Sequence, residues 1–390
     1  MGLKEIPTVS IPLERSDSMK KIITFTLCFV FIVTLAVAQD AAKIQQSIDK
    51  AAAYLRTTQS GTGGWVTQRT TIGPTTIILA GLMGAGVDID DPMIVKGLKL
   101  IETSTREDGG VYTPDGFLQN YETCCAVMCL AKANEAFKNK HGKEPYKDLL
   151  VKADKFIRKQ QHTEENNSTK PDDPNYGGIG YGEMIRRPDM SNMQFFLDAL
   201  KANGAKADDP AIQKALVFVS RCQNLESEHN KMPFISQNAG GLDGGFIYYN
   251  QPDSEGEKPT EGLRSYGGMT YAGLKSMIYA GLTQEDKRVK AALNWIAKNY
   301  SVTENPGRGI DGLFYYYQTM AKTLDLQKKT IVEDSEGNKH NWQDDLSERL
   351  ISVQKENGSW VNDNSRYMED DANLVTGYAL LALALCLPQK

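Results

Sequence analysis

The chain has 390 residues, of which 41% are hydrophobic and 24% charged, and its formal net charge is −5. These proportions are typical of a globular protein. The acidic balance, without a stripe rich in Lys and Arg, gives no reason to expect a nucleic-acid partner. Length alone leaves open one large domain or two ordinary ones.

The first recognisable segment has the pattern of a secretory signal. A basic start at Met19 precedes an apolar run over residues 22–35, and residues 36–38 offer the small-x-small pattern that signal peptidase reads. We therefore expect a signal peptide over residues 1–38 and a secreted or periplasmic mature chain that begins at Gln39. A membrane anchor is the alternative, but the apolar run is short for a bilayer span and a cleavage pattern follows it.

Two kinds of helical pattern alternate through the remaining sequence. Amphipathic helices, with Lys and Arg on one side, begin near Ala41, Pro92, Tyr146, Pro210, Lys287 and Trp342. Helices that are apolar almost all round begin near Thr75, Thr123, Met193, Thr270, Leu313 and Thr376. A helix that is apolar all round must be buried, whereas an amphipathic helix faces water on one side. An inner ring of helices enclosed by an outer ring satisfies both requirements.

Each amphipathic helix is followed by a glycine-rich turn that contains a large apolar or aromatic residue. These turns lie at residues 63–65, 109–112, 177–181, 244–246, 309–314 and 358–360. Glycine permits φ > 0 and close backbone approach, and the aromatic side chain can fill the gap between neighbouring helices. Six turns predict six helix pairs. The fold class is therefore predicted to be all-α, an (α/α)6 toroid of six inner and six outer helices in one ring, as a single domain over residues 39–390.

Three long polar loops interrupt this pattern. They cover residues 162–188, 223–264 and 326–341, and the last is predicted to form a hairpin that turns at residues 336–338.

The cysteines and histidines do not indicate a metal centre. Five cysteines remain after the signal, without C-x-x-C spacing, and we expect them to be small buried hydrophobic residues. The four histidines, His141, His162, His229 and His340, are assigned to polar loops and none to an inner helix. No zinc site and no other cofactor are therefore expected.

One short motif carries a family resemblance. Gln354 to Trp360, with Gly358 between them, matches the Q-x-x-x-G-x-W repeat of squalene and oxidosqualene cyclases, and residues 59–65, ending at Trp65, are a looser copy. Over the mature chain the sequence resembles secreted bacterial prenyltransferase/squalene-oxidase-repeat proteins, within the terpenoid cyclase and protein prenyltransferase class of α/α toroids. The resemblance implies that Gln354 ties adjacent helices together while Trp360 packs on the turn.

The tetrad Asp88-Ile89-Asp90-Asp91 spells the D-x-D-D with which class II cyclases protonate an alkene or epoxide. The surrounding segment recurs at two later places, where Asp209 and Asp286 stand in the position of Asp91. Asp91 and Asp209 each precede a proline, which is the pattern of an N-cap followed by proline at the first helical position. At the third place, Thr283 and Asp286 predict a capping-box variant. We interpret the tetrad as the start of an outer helix and not as the catalytic acid.

Other acids and aromatics precede the inner helices, where the connecting loops would surround one mouth of the ring. The candidate catalytic residues are Glu122, Asp189, Glu369, Asp370 and Asp371, although a helix N-terminus favours the ionised form of a carboxylate and opposes a strong-acid role. The candidate cavity-lining residues are Tyr121, Asn192, Tyr266, Tyr271, Asp311, Tyr315 and Tyr316. Such aromatics could hold a polyprenyl chain or a carbocation, tyrosines with carboxylates suit a glycan, and aromatics also fill ordinary cores.

Three functions remain open at this point. We rank first a ligand-binding or interaction scaffold with an isoprenoid or protein partner. D-x-D-D is not followed by Thr-Ala, no zinc set is recognisable, and one ring stands where squalene-type cyclases carry two. The alternatives are an isoprenoid-processing enzyme, similar to terpene cyclases, and a glycan-active (α/α)6 enzyme. Fold does not settle function, so the decisive question is whether the centre of the ring is open and apolar, open and acidic, or filled.

Overall fold

The computed structural model describes residues 41–67, 70–113, 116–183, 186–231, 241–250 and 264–388. The predicted signal peptide lies outside these residues, as does most of the predicted loop over residues 223–264. The described chain is mostly helical, which confirms the all-α prediction. In this part of the chain, no helix combines the length and apolar character needed to cross a membrane.

Some of the described helices are joined by short turns and others by longer segments. They are α1 (41–58), α2 (Ile72–Gly84), α3 (Pro92–Thr103), α4 (Gln119–His141), α5 (Lys147–Gln160), α6 (Glu164–Asn167), α7 (Met190–Ala202), α8 (Pro210–Arg221), α9 (Gly267–Tyr279), α10 (Lys287–Lys298), α11 (Leu313–Leu326), α12 (Trp342–Val353) and α13 (Ala372–Cys386). An antiparallel hairpin, β1 (Ile331–Glu333) and β2 (Lys339–Asn341), lies where the sequence predicts one.

Six of these helices pack side by side in a closed order. Helices α2, α4, α7, α9, α11 and α13 each contact the next, and α13 returns to contact α2. The closing contact depends on two glycines, because a Cβ on Gly81 would lie 2.9 Å from the carbonyl oxygen of Gly377. The amphipathic helices lie outside this cycle, α3 against α2, α5 against α4, α8 and α10 against α9, and α12 against α13. We call the six helices the central helices.

A repeated glutamine contact joins the amphipathic helices to one another. The Gln354 amide donates to the carbonyl oxygens of Ser47 and Gly358, both at 2.9 Å, so the end of α12 is tied to α1. The Trp360 indole N–H donates to Leu350 at 2.8 Å, and its backbone N–H donates to the hydroxyl of a threonine on α13. Three more glutamines each donate two hydrogen bonds in the same way, one to the following glycine turn and one to the next amphipathic helix: Gln59, Gln161 and Gln223.

The second turn of this kind, at Trp65, repeats the arrangement around Trp360. The indole N–H of Trp65 donates to Leu55 at 3.0 Å, and its backbone N–H donates to Thr75 on α2. Both tryptophans are buried, with exposed fractions of 1% or less. Each therefore fixes the angle between an outer helix and the central helix that follows it.

Two details differ from the sequence analysis. His141 was placed in a loop, which is wrong: it is the last residue of α4, a central helix that runs for 23 residues. The predicted capping box at Thr283 is also wrong, since Asp286 is the N-cap of α10 and accepts the N–H of Arg288 at 2.8 Å. Asp91 and Asp209 cap α3 and α8 as predicted. The five described cysteines are buried and free, as expected.

Two glycines with the same backbone conformation allow the turn geometry to be tested. Gly358 and Gly86 both have φ of 90°, but a Cβ on Gly358 would collide with the carbonyl oxygen of Lys50, whereas a Cβ on Gly86 meets open space. We expect Gly86→Ala to cost about 1–2 kcal/mol of unfolding free energy from the left-handed backbone alone. Gly358→Ala should cost about 1–3 kcal/mol more, because the turn must move away from α1. Equal losses in chemical denaturation would contradict the packing role of this glycine.

Candidate functional site: a tyrosine-lined cavity

A cavity of about 760 Å³ opens at the end of the cycle where the central helices begin. Its volume lies in the range of small-molecule sites. The described residues that line it are Thr67, Phe117, Leu118, Tyr121, Tyr181, Ser191, Phe195, Tyr248, Tyr266, Met269, Asn305, Asp311, Gly312, Tyr315, Ser365, Arg366, Tyr367, Met368, Asp370, Asp371 and Tyr378. Seven of them are tyrosines. The interior of the cycle of central helices is therefore open at this end.

Four aromatic rings form the floor of the cavity. Phe195 on α7 lies 5.3 Å from Tyr121 and 6.1 Å from Tyr315, and Tyr315 lies 6.1 Å from Tyr378, as distances between ring centroids. All three pairs are edge-to-face, which is a favourable geometry for aromatic pairs. The hydroxyls of Tyr121 and Tyr378 also interact with each other. Because these rings come from four of the central helices, their contacts close the space within the cycle.

The rim is polar on one side. The Asp311 carboxylate accepts hydrogen bonds from Asn364 at 2.5 Å and from Arg366 at 3.3 Å. The next residue, Tyr367, is 47% exposed, and both Tyr367 and Met368 have φ of 62°. Left-handed backbone is uncommon for residues other than glycine and is enriched at functional sites. A strained segment thus borders the entrance to the cavity.

Six of the predicted candidates border this cavity, whereas the others are buried in the surrounding packing. Those at the cavity are Tyr121, Tyr266, Asp311, Tyr315, Asp370 and Asp371. Tyr316 instead donates its hydroxyl to Ser301 at 2.6 Å, and Tyr271 packs edge-to-face against Tyr316. Successive helical residues point about 100° apart, so Tyr315 and Tyr316 cannot both face the cavity.

Two of the predicted acids, Glu122 and Glu369, bind the N-termini of neighbouring central helices. Glu369 accepts the N–H of Tyr315 at 2.8 Å, at the start of α11. Glu122 accepts the N–H of Gly73 at 3.1 Å, at the start of α2. Burial raises the pKa of both carboxyl groups, while the N–H donors act in the opposite direction. Neither α2 nor α11 has a side-chain cap of its own, so each glutamate supplies the missing acceptor.

Asp189 and Asp371 cap the helices that they precede. Asp189 accepts the Asn192 N–H at 2.8 Å and the Asn192 side-chain amide at 2.7 Å, at the start of α7. This pairing keeps Asn192 away from the cavity. Burial raises the pKa of Asp189 to about 6, against hydrogen bonds from Asn192 and Tyr248. Since Tyr248 lines the cavity, its hydroxyl group connects the Asp189 carboxylate to the cavity wall.

A buried ionic network that was not predicted from the sequence lies beyond the floor. Lys275 on α9 is fully buried and donates to Asp198 on α7 at 2.6 Å and to Gln194 at 2.9 Å. Asp198 also accepts from Tyr279 at 2.9 Å and pairs with Lys322 at 3.0 Å. Burial lowers the pKa of Lys275 to about 8 despite the nearby carboxylate. Burial opposes ionisation of Asp198, but the charges of Lys275 and Lys322 outweigh it and lower its pKa.

The sequence did contain a signal for this network. Lys275 is the only charged residue of α9, and Asp198 is the only acid of α7, in helices that are otherwise apolar almost all round. A charge on a fully buried helix must be paired, so a lysine on one such helix predicts an acid on another. The interior of the cycle is thus open where the central helices begin and filled by ion pairs beyond the aromatic floor.

The D-x-D-D tetrad lies away from the cavity, at the surface. Asp88 and Asp90 pair with Lys140 at 2.5 and 2.9 Å, and Asp90 also contacts His141. Asp91 caps α3 and pairs with Arg56 at 2.8 Å. Hydrogen bonds from these cations lower the pKa of all three acids. The tetrad is therefore held ionised, which is the opposite of what a proton donor requires. Among the described residues, the tetrad included, no group of three or more His, Cys, Asp or Glu side chains could hold a metal ion.

The fold has counterparts among solved structures. A variant of the type II terpene cyclase MstE from Scytonema, in complex with its product merosterolic acid A, is 12% identical, with a TM-score of 0.52, over 90% of this chain and 99% of that chain. The chain has a terpenoid cyclase-like fold. A second MstE variant, in complex with its substrate geranylgeranyl dihydroxybenzoate, is 11% identical with a TM-score of 0.53 over the same shares of both chains. MstE without ligand is 13% identical with a TM-score of 0.51, over 88% of this chain and 98% of that one.

Comparison of sequences adds nothing to this likeness. No family model matches the chain, and no curated protein matches it either. At about 12% identity the terpenoid cyclase-like fold says how the backbone is arranged and does not say which side chains act.

Substitutions in the tetrad distinguish a helix cap from a catalytic acid. Asp91→Ala should lower the unfolding free energy by about 1 kcal/mol, because α3 loses its N-cap. Asp209→Ala, at the equivalent position of α8, should cost a similar amount. Asp90→Asn should have almost no effect, since its partners lie at the surface. Thermal melts measure all three. Loss of turnover on a polyprenyl substrate in Asp90→Asn, with an unchanged melting temperature, would show that the tetrad is catalytic.

The raised pKa of Asp189 predicts a pH dependence of stability. A carboxyl group with a higher pKa in the folded state binds its proton more tightly there. Its contribution to stability is therefore greatest below about pH 4 and is lost as the pH rises through about 6. Asp189→Asn keeps a capping side chain but cannot titrate. Between pH 4 and 7 the unfolding free energy of the native chain should fall by about 2 kcal/mol relative to this variant. A difference that stays constant with pH would contradict the assignment.

Proposed function

We propose that the protein binds an isoprenoid chain in the tyrosine-lined cavity and acts on it as a terpene cyclase-like enzyme. The observation that carries this proposal is the aromatic floor. It closes the inner end of the cavity with aromatic rings from four central helices. Aromatic faces attract positive charge, including that of a carbocation, and they present an apolar surface to a hydrocarbon chain. The closed order of the central helices supports the finer architecture that we propose, an (α/α)6 toroid with one ring.

The likeness to MstE supports an isoprenoid ligand over the scaffold role that the sequence analysis ranked first. The solved MstE complexes share this fold and contain geranylgeranyl dihydroxybenzoate and merosterolic acid A. The cavity volume is that of a site for a small molecule and not of a protein-docking groove. No comparison supports a protein partner, and we do not include one in the proposal.

The acid for such chemistry must come from elsewhere than the surface tetrad. Three carboxylates border the cavity: Asp311, Asp370 and Asp371. Asp311 and Asp371 are already engaged as acceptors of hydrogen bonds from N–H groups. Asp370 accepts none from the described residues. Asp370 is therefore the first residue to substitute when acid catalysis on a bound chain is tested.

The same three carboxylates favour a second candidate, a glycan-active enzyme. Glycosidases use two carboxylates across the scissile bond, and tyrosine faces also stack on sugars. Export through the predicted signal peptide, with cleavage before Gln39, is compatible with both candidates and does not distinguish them. A glycan is the weaker proposal, because the cavity floor offers aromatic rings where a polysaccharide chain would need a continuous groove.

Binding of prenyl alcohols tests the proposal directly. Calorimetry should show affinity that rises from a C10 to a C15 to a C20 chain, because each buried methylene adds about 0.8 kcal/mol until the cavity is full. Phe195→Ala removes one ring of the floor and should weaken binding of the C20 chain about tenfold or more. Phe196→Ala, at the next residue, removes an equally buried ring that does not border the cavity.

The two phenylalanine variants should lose comparable stability, so binding is measured at a temperature where both are folded. Phe196→Ala should then keep the native affinity. Absence of binding by all three alcohols, together with binding of a soluble oligosaccharide, would reverse the ranking of the two candidates.

A further inference from the structure

One wall of the cavity carries a row of hydroxyl groups. Tyr181 and Tyr248 lie with their hydroxyl oxygens 3.1 Å apart, and the Tyr315 hydroxyl lies 3.4 Å from the hydroxyl of Ser191. The Tyr181 side chain interacts with Ser191 as well as with Tyr248. These four residues all border the cavity, and we call them the hydroxyl stripe. The lining also includes the apolar side chains of Leu118 and Met269.

The Tyr315 end of the stripe is held by the buried ionic network. The side-chain oxygen of Gln194 accepts the Lys275 ammonium at 2.9 Å, so its amide nitrogen must point the other way, and it donates to the Tyr315 hydroxyl. An ammonium group cannot accept a hydrogen bond, so this amide cannot be reversed. Gln194 and Lys275 are exposed by 1% or less. Tyr315 is thereby fixed as an acceptor toward Gln194, and its own hydrogen points elsewhere.

The other end of the stripe lies at Asp189. Its carboxylate accepts a hydrogen bond from the Tyr248 hydroxyl, on the side away from the cavity. The backbone N–H of Met190 donates to the Tyr248 carbonyl oxygen at 2.8 Å, which holds this tyrosine against the start of α7. The donors along the stripe therefore run in one direction, from the Gln194 amide to the Asp189 carboxylate.

The weakest link in this row is the contact between Tyr315 and Ser191. At 3.4 Å it is longer than the 2.5–3.0 Å that is usual for a bond between hydroxyl groups. The Tyr315 hydrogen is therefore available to a better acceptor, and the lone pairs of Ser191 are available to a donor. A hydroxyl group on a ligand supplies both at one point, next to the aromatic floor.

We propose that the hydroxyl stripe binds a hydroxyl group of the isoprenoid ligand, with Tyr315 as donor to it and Ser191 as acceptor, so that the protein selects prenyl alcohols over hydrocarbons. This inference rests on the proposed function and adds the polar part of the ligand. The aromatic floor binds the hydrocarbon part of the ligand. Among ligands of one chain length, the hydroxyl stripe favours those that carry a hydroxyl group. Gln194 and Lys275 are positioning residues for Tyr315.

Three probes with one C20 chain test this selectivity by calorimetry. Geranylgeraniol donates and accepts a hydrogen bond, its methyl ether only accepts, and the corresponding hydrocarbon does neither. The native protein should bind the alcohol about tenfold more tightly than the hydrocarbon, with the ether between them, as expected for one or two buried hydrogen bonds. Tyr315→Phe should remove most of this preference by weakening the alcohol and leaving the hydrocarbon unchanged. Ser191→Ala should bring the alcohol to the affinity of the ether.

Tyr316→Phe is the matched control, because it deletes the neighbouring hydroxyl on α11, which bonds to Ser301 and not to the stripe. It should keep the full preference for the alcohol. Equal affinity of the native protein for alcohol and hydrocarbon overturns the inference but leaves the proposed function standing. An equal loss of affinity for the alcohol and the hydrocarbon in Tyr315→Phe has the same consequence. Failure of the native protein to bind any of the three probes overturns the proposed function itself.

Discussion

The cavity depends on the close approach of α2 and α13, the first and last central helices in the chain. Gly81 and Gly377 allow this approach, because a Cβ on either would meet the other helix at 2.9 Å. Without it the cycle of six helices would remain open on one side, and Tyr378 on α13 could not reach Tyr121 on α4 to complete the aromatic floor. A contact between two residues without side chains thus determines where the aromatic side chains of α4, α7, α11 and α13 meet.

The interior of the cycle is divided between two kinds of chemistry. The end at which the helices begin holds tyrosines around open space, and the region beyond the floor holds Lys275 and Asp198 in a fully buried pair. Removing one partner of such a pair is costly, because the other charge is left without compensation. Gln194 connects the two regions, since one end of its amide contacts the ammonium and the other contacts Tyr315. The ionic pair therefore orients a group that faces the cavity, in addition to filling the axis.

Four acids near the starts of the central helices accept hydrogen bonds from the N–H groups of helix N-termini. A helix that begins inside a protein leaves N–H groups without partners, and water cannot reach them. Glu122 and Glu369 reach across from neighbouring segments to α2 and α11, while Asp189 and Asp371 cap their own helices. This explains why carboxylates cluster near the cavity mouth. Their positions follow from the direction of the helices, which all present their N-termini at this end.

The sequence by itself determined the helices, their alternation and the turns, because hydrophobic period and glycine position are local properties. It also determined that Asp91 and Asp209 begin helices, since an acid followed by proline is a local signal. Which of Tyr315 and Tyr316 faces the cavity, and which helix receives Glu369, were decided by the rotation and spacing of packed helices. The pairing of Lys275 with Asp198 belongs to the same class. These contacts join residues far apart in the chain, and only the tertiary structure brings them within hydrogen-bonding distance.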